Sequence, residues 1–375
     1  MRIAQIVASL EARHGGPSRS VLGLAHGLAR LGHDVALLTT EPGVSRSEQP
    51  APRLLVHRFP RRWPQSLATA PDLARHLDDA PYDVIHNHGL WLRPLHYAAQ
   101  AARRVGSPLV ISPRGMMTDW AWRYRRARKY VAGQVIHPGA LQGCAGWHAT
   151  SNEEASDIRN RGFAQPIAVS PNGIDLPSET SLAAARRHWL ESCPEIAGQR
   201  VALFYSRFHP KKRILELIEL WAAKAPTGWV LLLVGIPEAY SVADLERYVR
   251  QCQAAGRVVV RDGTDAPAPY AAASLFLLPS HSENFGLTIA EALAHGLPVL
   301  TTDGTPWRGL AAHGAGQCVP WADYAAALRQ MLACPPEALA ASGRAGRAWM
   351  EAEFTWEKSA AVLVAFYERL RGAPQ

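Results

Sequence analysis

Two carboxylates and a glycine in the stretch SENFGLTIAEALAHGLPVLT, Ser282 to Thr301, have the spacing of a site for a polar ligand. Glu283 precedes Asn284-Phe285-Gly286-Leu287, and Glu291 follows eight positions after Glu283. A helix starting near Phe285 or Gly286 rises about 1.5 Å per residue, which puts Glu291 one to two turns inside it. The first N–H groups of such a helix have no partner within it and attract an anion. Acids on either side can accept hydrogen bonds from hydroxyls. Phosphate in the middle with hydroxyls at both ends describes a nucleotide-sugar.

A second cluster is Ser206-Arg207-Phe208-His209-Pro210-Lys211-Lys212-Arg213, ahead of a helix expected from Ile214. Cations at a helix N-terminus oppose its dipole by about 0.3–1 kcal/mol each. A bound polyanion explains them better, since a hydrogen bond to a charged group contributes about 1.5–3 kcal/mol. In His86-Asn87-His88-Gly89-Leu90-Trp91, His88 lies nearest the end of an expected strand and is the candidate to meet a sugar hydroxyl or an acceptor; His86 is expected to be packed. No third ligand at workable spacing accompanies this pair, so no metal is expected. Gly15-Gly16, ahead of a helix, would let backbone N–H groups approach an anion closely, and the pair does not match GxGxxG. The segment Met116 to Tyr130, MMTDWAWRYRRARKY, interleaves aromatic and basic side chains. That suits an anionic membrane surface; no nucleic-acid module accompanies it, so nucleic acid is not an expected partner.

These residues need a scaffold that presents loops beside one another. Short apolar runs alternate with helical patterns: Ile3–Ala8, Val35–Thr39, Leu54–Phe59, Val84–His88, Leu109–Ser112, Gly146–Ala149 and Ile167–Val169 in the first half. The second half repeats the plan at Val201–Tyr205, Val230–Val234, Val258–Val260, Leu275–Leu278, Val299–Thr301 and Gln317–Val319. Such alternation predicts α/β domains with parallel sheets, in which ligands bind beyond the carboxyl ends of strands. The 375 residues suit two Rossmann-like domains, 1–175 and 176–353, divided at the turn Pro171-Asn172-Gly173-Ile174-Asp175. An amphipathic helix follows over 354–375, and periodicity alone does not say which domain it caps.

The net charge of +8 lies wholly in the first half: residues 1–175 hold 21 Lys+Arg and 13 Asp+Glu, and the rest hold 19 of each. Such asymmetry suggests an anionic partner for that half. No apolar run reaches the roughly 18 residues of a membrane span. Five scattered cysteines with no CxxC pair suit a reducing cytoplasm.

Taken in order, Gly15-Gly16 with GLARLGHDVALLTT, DVIHNHGLW, VISPRGMM, HATSNEEASDIRNRGF, SPNGIDLP, SRFHPKKR, LPSHSENFGLTIAEALAHGLPVLTTDGTPW and FTWEKSAAVLVAFYERL resemble the retaining glycosyltransferases of family 4 over nearly the whole chain. The resemblance implies the GT-B architecture, two Rossmann-like domains facing across a cleft, with the last helix crossing back to the N-terminal domain. It implies no metal and no cofactor, with a UDP- or GDP-linked sugar as donor substrate. Arg207 and Lys212 would neutralise its diphosphate, Glu283 would hold the transferred sugar, and Glu291 the ribose. Backbone N–H groups of Asn284, Phe285, Gly286 and Leu287 would touch sugar and phosphate. His88 would approach the reacting sugar, and Gly15 and Gly16 would lie beneath the diphosphate. The acceptor would be a lipid-linked or envelope glycan, reached from the cytoplasm at the inner face of the membrane.

Two positions depart from the pattern. Arg213 stands where many relatives have glycine, and the glycine expected just past the Val258–Val260 strand is displaced to Gly263. Rival readings are a GT-B epimerase or phosphorylase, or a degenerate sugar-nucleotide-binding subunit; the intact Arg207, Lys212, Glu283 and Glu291 set argues against the last.

Overall fold

The computed structural model describes residues 1–11, 16–42, 46–123, 129 and 131–372. The chain divides into two units, Met1–Gly173 with Phe354–Gln375, and Ile174–Glu353.

Among the described residues, unit 1 is built on eight strands: β1 (Arg2–Val7), β2 (Asp34–Glu41), β3 (Arg46–Ala51), β4 (Leu54–Pro60), β5 (Val84–His88), β6 (Leu109–Ser112), β7 (Gly146–Ala149) and β8 (Ile167–Val169). Their order is β3-β4-β2-β1-β5-β6-β7-β8. All pairs are parallel except β3 with β4, which is antiparallel. Chain order runs outward from β1 on one side, then returns to place β5 on the other. The crevice between β1 and β5 is therefore the topological switch point, where open sheets of this kind bind ligands.

The helix Gly16–Arg30 forms because Val21, Leu24, Ala25 and Leu28 recur on one buried face, and Gly32 at φ +86° follows its end. The last helix, Trp356–Gly372, packs against it, and Trp356, Ala360, Leu363, Phe366 and Tyr367 join the core of unit 1. Small residues make room for that helix. A Cβ on Gly23 would lie 2.2 Å from the Trp356 ring, and one on Gly173 would lie 2.5 Å from the Trp356 backbone.

Unit 2 carries β9 (Arg200–Tyr205), β10 (Trp229–Gly235), β11 (Val258–Asp262), β12 (Leu275–Leu278), β13 (Val299–Thr302) and β14 (Gly316–Val319), in the order β11-β10-β9-β12-β13-β14. All pairs are parallel. Its switch point lies between β9 and β12. Strand β10, WVLLLVG, is buried along its whole length, as a central parallel strand covered on both faces must be.

Candidate active site

In unit 2 the two loops beyond the switch point are tied together. The loop after β9 closes in a short turn, Pro210–Lys212, for which His209 is the cap: its Nδ1 accepts from Lys211 N at 3.0 Å. His281 N in the loop after β12 then donates to Lys211 O at 2.8 Å. This joint brings Lys212 Nζ onto Glu283 Oε1, and Ser280 Oγ donates to the same oxygen at 2.7 Å. Both members of the ion pair are largely buried, with side chains 10% and 13% exposed. Burial opposes the charged form of Glu283, but the charge and hydrogen bond of Lys212, the Ser280 bond and the charge of Lys211 outweigh it, so the carboxyl lies below its usual range. Lys211 is pushed below the usual lysine value by burial, aided by Lys212 and Arg207 and opposed by Glu283.

The helix Leu287–Ala294 starts directly after Gly286, which sits in the left-handed region at φ +79°. No side chain caps that start, which leaves its first N–H groups available to an anion. Phe285 is fixed by Trp307, whose Nε1 donates to Phe285 O at 2.5 Å. One to two turns on, Glu291 is buried and accepts from Tyr270 Oη at 2.6 Å. The structure thus collects Lys212, Glu283, Asn284, Phe285, Gly286 and Leu287 at one switch point, with Glu291 on the helix that leaves it. Arg207 belongs to the same loop, but its Nη1 is held by Glu238 at 2.9 Å and its side chain is half exposed.

Both departures from the family pattern have a physical reading. Arg213 adopts φ +52°, a conformation natural to glycine, and its guanidinium lies 4.5 Å from the centre of the Trp321 ring. Strand β11 extends to Asp262, two residues beyond the expected end, so Gly263 follows the strand directly. A Cβ there would meet Val234 Cγ1 at 2.8 Å.

In unit 1, β5 reads Val-Ile-His-Asn-His and every residue is buried. Its two histidines are accommodated by hydrogen bonds that run in one direction. Arg114 Nη2 donates to His88 Nδ1 at 3.0 Å, and His88 Nε2 donates to Gln5 Oε1 at 2.6 Å. Gln5 Nε2 donates to Tyr367 Oη at 3.3 Å, and Tyr367 Oη to His86 Nδ1 at 2.6 Å. His86 Nε2 donates to Ser112 Oγ at 2.8 Å, Ser112 Oγ to His148 Nδ1 at 2.7 Å, and His148 Nε2 to Ser170 O at 3.0 Å. The guanidinium at one end, which only donates, and the carbonyl at the other, which only accepts, fix the tautomer of each ring. Burial drives His86 and His88 well below the ordinary histidine value and His148 down to about 3, so all three are neutral. His86 is enclosed within this chain of bonds. His88 ends β5 beside a cavity of about 340 Å³ that Arg114 also lines. Gly16 is the first residue of its helix, with open space where a Cβ would stand. Gly15 lies outside the described residues, as do Arg125, Arg126 and Arg128 of the aromatic–basic segment.

Residues 14–177 match the family model Glycosyltransferase Family 4, and residues 187–349 match Glycosyl transferases group 1. The chain is a GT-B glycosyltransferase. Among curated proteins it is similar to a GDP-mannose-dependent alpha-mannosyltransferase of Mycobacterium tuberculosis, 25% identical over 86% of this chain and 85% of that one. It is also similar to a D-inositol 3-phosphate glycosyltransferase of Mycobacterium bovis, 32% identical over 59% of this chain and 48% of the relative, about half its length. Among solved structures, sucrose-phosphate synthase from Thermosynechococcus elongatus superposes with a TM-score of 0.74 at 21% identity, over all of both chains. Anabaena HepE, solved with UDP and glucose, gives 0.74 at 20% identity over 98% of this glycosyltransferase and all of that chain.

Sequence reasoning gave no role to Ser280, Tyr270, Trp307 or Arg114. Trp307 and Arg114 lie inside the motifs DGTPW and SPRGMM, and Arg114 could have been singled out as a lone cation at the end of an apolar strand. Tyr270 carried no local signal, because its contact with Glu291 spans 21 positions. Among the described residues no three His, Cys, Asp or Glu side chains converge as a metal site, and no helix is long and apolar enough to cross a membrane.

Proposed function

We propose that this glycosyltransferase moves a hexose-type unit from a UDP- or GDP-sugar to a hydroxyl of a lipid-linked or envelope glycan, with retention at the anomeric carbon and without a metal. The observation that carries the reading is the buried Lys212–Glu283 pair beside the uncapped helix start at Gly286. Negative charge grows on the leaving diphosphate as its bond to the sugar breaks. Lys212, Lys211 and the N–H groups after Gly286 are charges and dipoles already fixed for it, an arrangement in which a single donor typically contributes about 2.7–4 kcal/mol. Arg207 joins them by leaving Glu238. Glu283 and Glu291 accept from hydroxyls of the sugar and the ribose.

His88, neutral with both ring nitrogens engaged, acts by shape and orientation rather than as a base. With no carboxylate assigned as a covalent nucleophile, the departing phosphate takes the acceptor proton on the same face. The two curated relatives are named as a mannosyltransferase and a glycosyltransferase, which favours transfer over epimerisation or phosphorolysis. The excess positive charge before Leu176 supports an acceptor at an anionic membrane on the cytoplasmic side. The test is transfer from UDP- and GDP-sugars to membrane-extracted lipid-linked acceptors, with the product's anomeric configuration read by NMR. An inverted product overturns retention. Vesicle sedimentation that is salt-sensitive and weakened by neutralising Arg125, Arg126 and Arg128 supports the membrane partner; no sedimentation refutes it.

A further inference from the structure

The cavity at the switch point of unit 1 has an unusual charge balance. Val7, Leu90, Leu95 and Met116 form an apolar wall, Arg61 and Arg114 are its two cations, and among the described residues no Asp or Glu lines it. The hydrogen-bond partners of both arginines are uncharged. Arg61 donates to Ala8 O, Thr40 Oγ1 and Thr40 O. Arg114 donates to His88 Nδ1 and, at 2.7 Å, to Asn172 Oδ1. Glu154, whose charge acts on Arg114 from a distance, accepts instead from Gly115 N at 2.7 Å, Thr150 N at 2.8 Å and Thr150 Oγ1 at 2.9 Å. His88 is neutral and turns its lone pair to Arg114, so it holds the guanidinium without balancing it.

A largely buried cation with only neutral hydrogen-bond partners is an incomplete electrostatic arrangement, because the distant charge of Glu154 repays only part of its removal from water. Arg114 also sits at φ +54°, a strained conformation for a side chain of its size. We propose that this cavity takes an anionic group, a phosphate monoester or a carboxylate carried on a glycan, with Arg114 as its counter-ion. The proposal rests on the glycosyltransferase reading only in naming that molecule as the acceptor.

The experiment is calorimetric titration of the full chain with phenyl phosphate and with benzoate, using phenyl β-glucoside as the uncharged control. The expected result is saturable binding of at least one anion and none of the control; which anion binds tells phosphate from carboxylate. Arg114→Gln should weaken binding at least tenfold, and Arg114→Lys should restore most of it. Ser66→Asp, an exposed lining position clear of the buried hydrogen bonds, should weaken it severalfold by repulsion and covers the case in which Arg114→Gln fails to fold. Phenyl phosphate has a second place to go at Lys212, so Lys212→Ala is titrated in parallel. Binding lost in Lys212→Ala but untouched by Arg114→Gln and Ser66→Asp overturns the proposal and leaves the glycosyltransferase reading standing. No anion binding by the unaltered chain also overturns it. Binding at Arg114 in a chain that takes no nucleotide-sugar keeps the anion site and removes the name acceptor.

Discussion

The two switch points share a topology and differ in how they handle charge. Unit 2 pairs Lys212 with Glu283 across two loops, so this cation has its counter-charge before any ligand arrives. Unit 1 keeps three histidines neutral along a directed hydrogen-bond chain and holds Arg114 with neutral groups. The same parallel-sheet crevice can therefore be prepared in two ways. On the readings proposed above, the ion pair of unit 2 exchanges partners with a polyanion, and Arg114 of unit 1 takes a counter-charge from its ligand.

The largest effect of a substitution is expected in unit 2. Lys212→Ala should lower turnover at least about a hundredfold, the scale of one transition-state donor, and Glu291→Ala, which removes the acceptor for the ribose hydroxyls and strands Tyr270 Oη, should lower it by a similar factor. Lys212→Ala should also lower the melting temperature, since it strands a buried carboxylate. Near-unaltered kinetics in both variants would sink the assignment of unit 2.

Next in size is Tyr367→Phe, which removes one hydroxyl from the chain of bonds in unit 1 and takes a partner from both Gln5 Nε2 and His86 Nδ1. A loss of about 1–3 kcal/mol in chemical unfolding is expected, without loss of nucleotide-sugar binding. Acid should separate the units as well. His86, His88 and His148 titrate near 6.5 when unfolded and well below it when folded, so the unfolded chain binds more protons. Their contribution is complete above pH 6.5 and is lost as pH falls towards the folded values, about 3 for His148. The contribution of Glu283 is complete above its ordinary value of 4.5 and is lost only below it. Hydrogen exchange should therefore quicken in β5 at a higher pH than in β12, and the reverse order would contradict the contrast. The smallest effect is at Arg213→Gly, where relief of the left-handed backbone, about 1–2 kcal/mol, is set against loss of the Trp321 contact, about 0.5–1 kcal/mol. A stability change between zero and about 1.5 kcal/mol in favour of glycine is expected by denaturant titration.

Much of this was legible in the sequence because it is periodic or local. Apolar runs located the parallel strands, and Gly286 with the following apolar spacing located the helix start. The polar strand β3, RSEQPA, escaped because it is an antiparallel edge with Pro50 in it and has no buried run to read. Strand β11 was cut short because Arg261 and Asp262 are polar while their backbone still pairs with β10. Long-range partners were invisible for another reason. Tyr367 meets His86 across 281 positions, and only the folded helix brings it there.

On the proposed function, the Lys212–Glu283 pair in unit 2, and not the arginine-lined cavity in unit 1, receives the nucleotide-sugar. Calorimetric titration with a panel of UDP- and GDP-sugars tests it most directly, on the unaltered chain, Lys212→Ala and Arg114→Gln. At least one donor should bind the unaltered chain, bind Lys212→Ala at least tenfold more weakly, and bind Arg114→Gln as before. Donor binding that survives Lys212→Ala and disappears with Arg114→Gln would contradict the account.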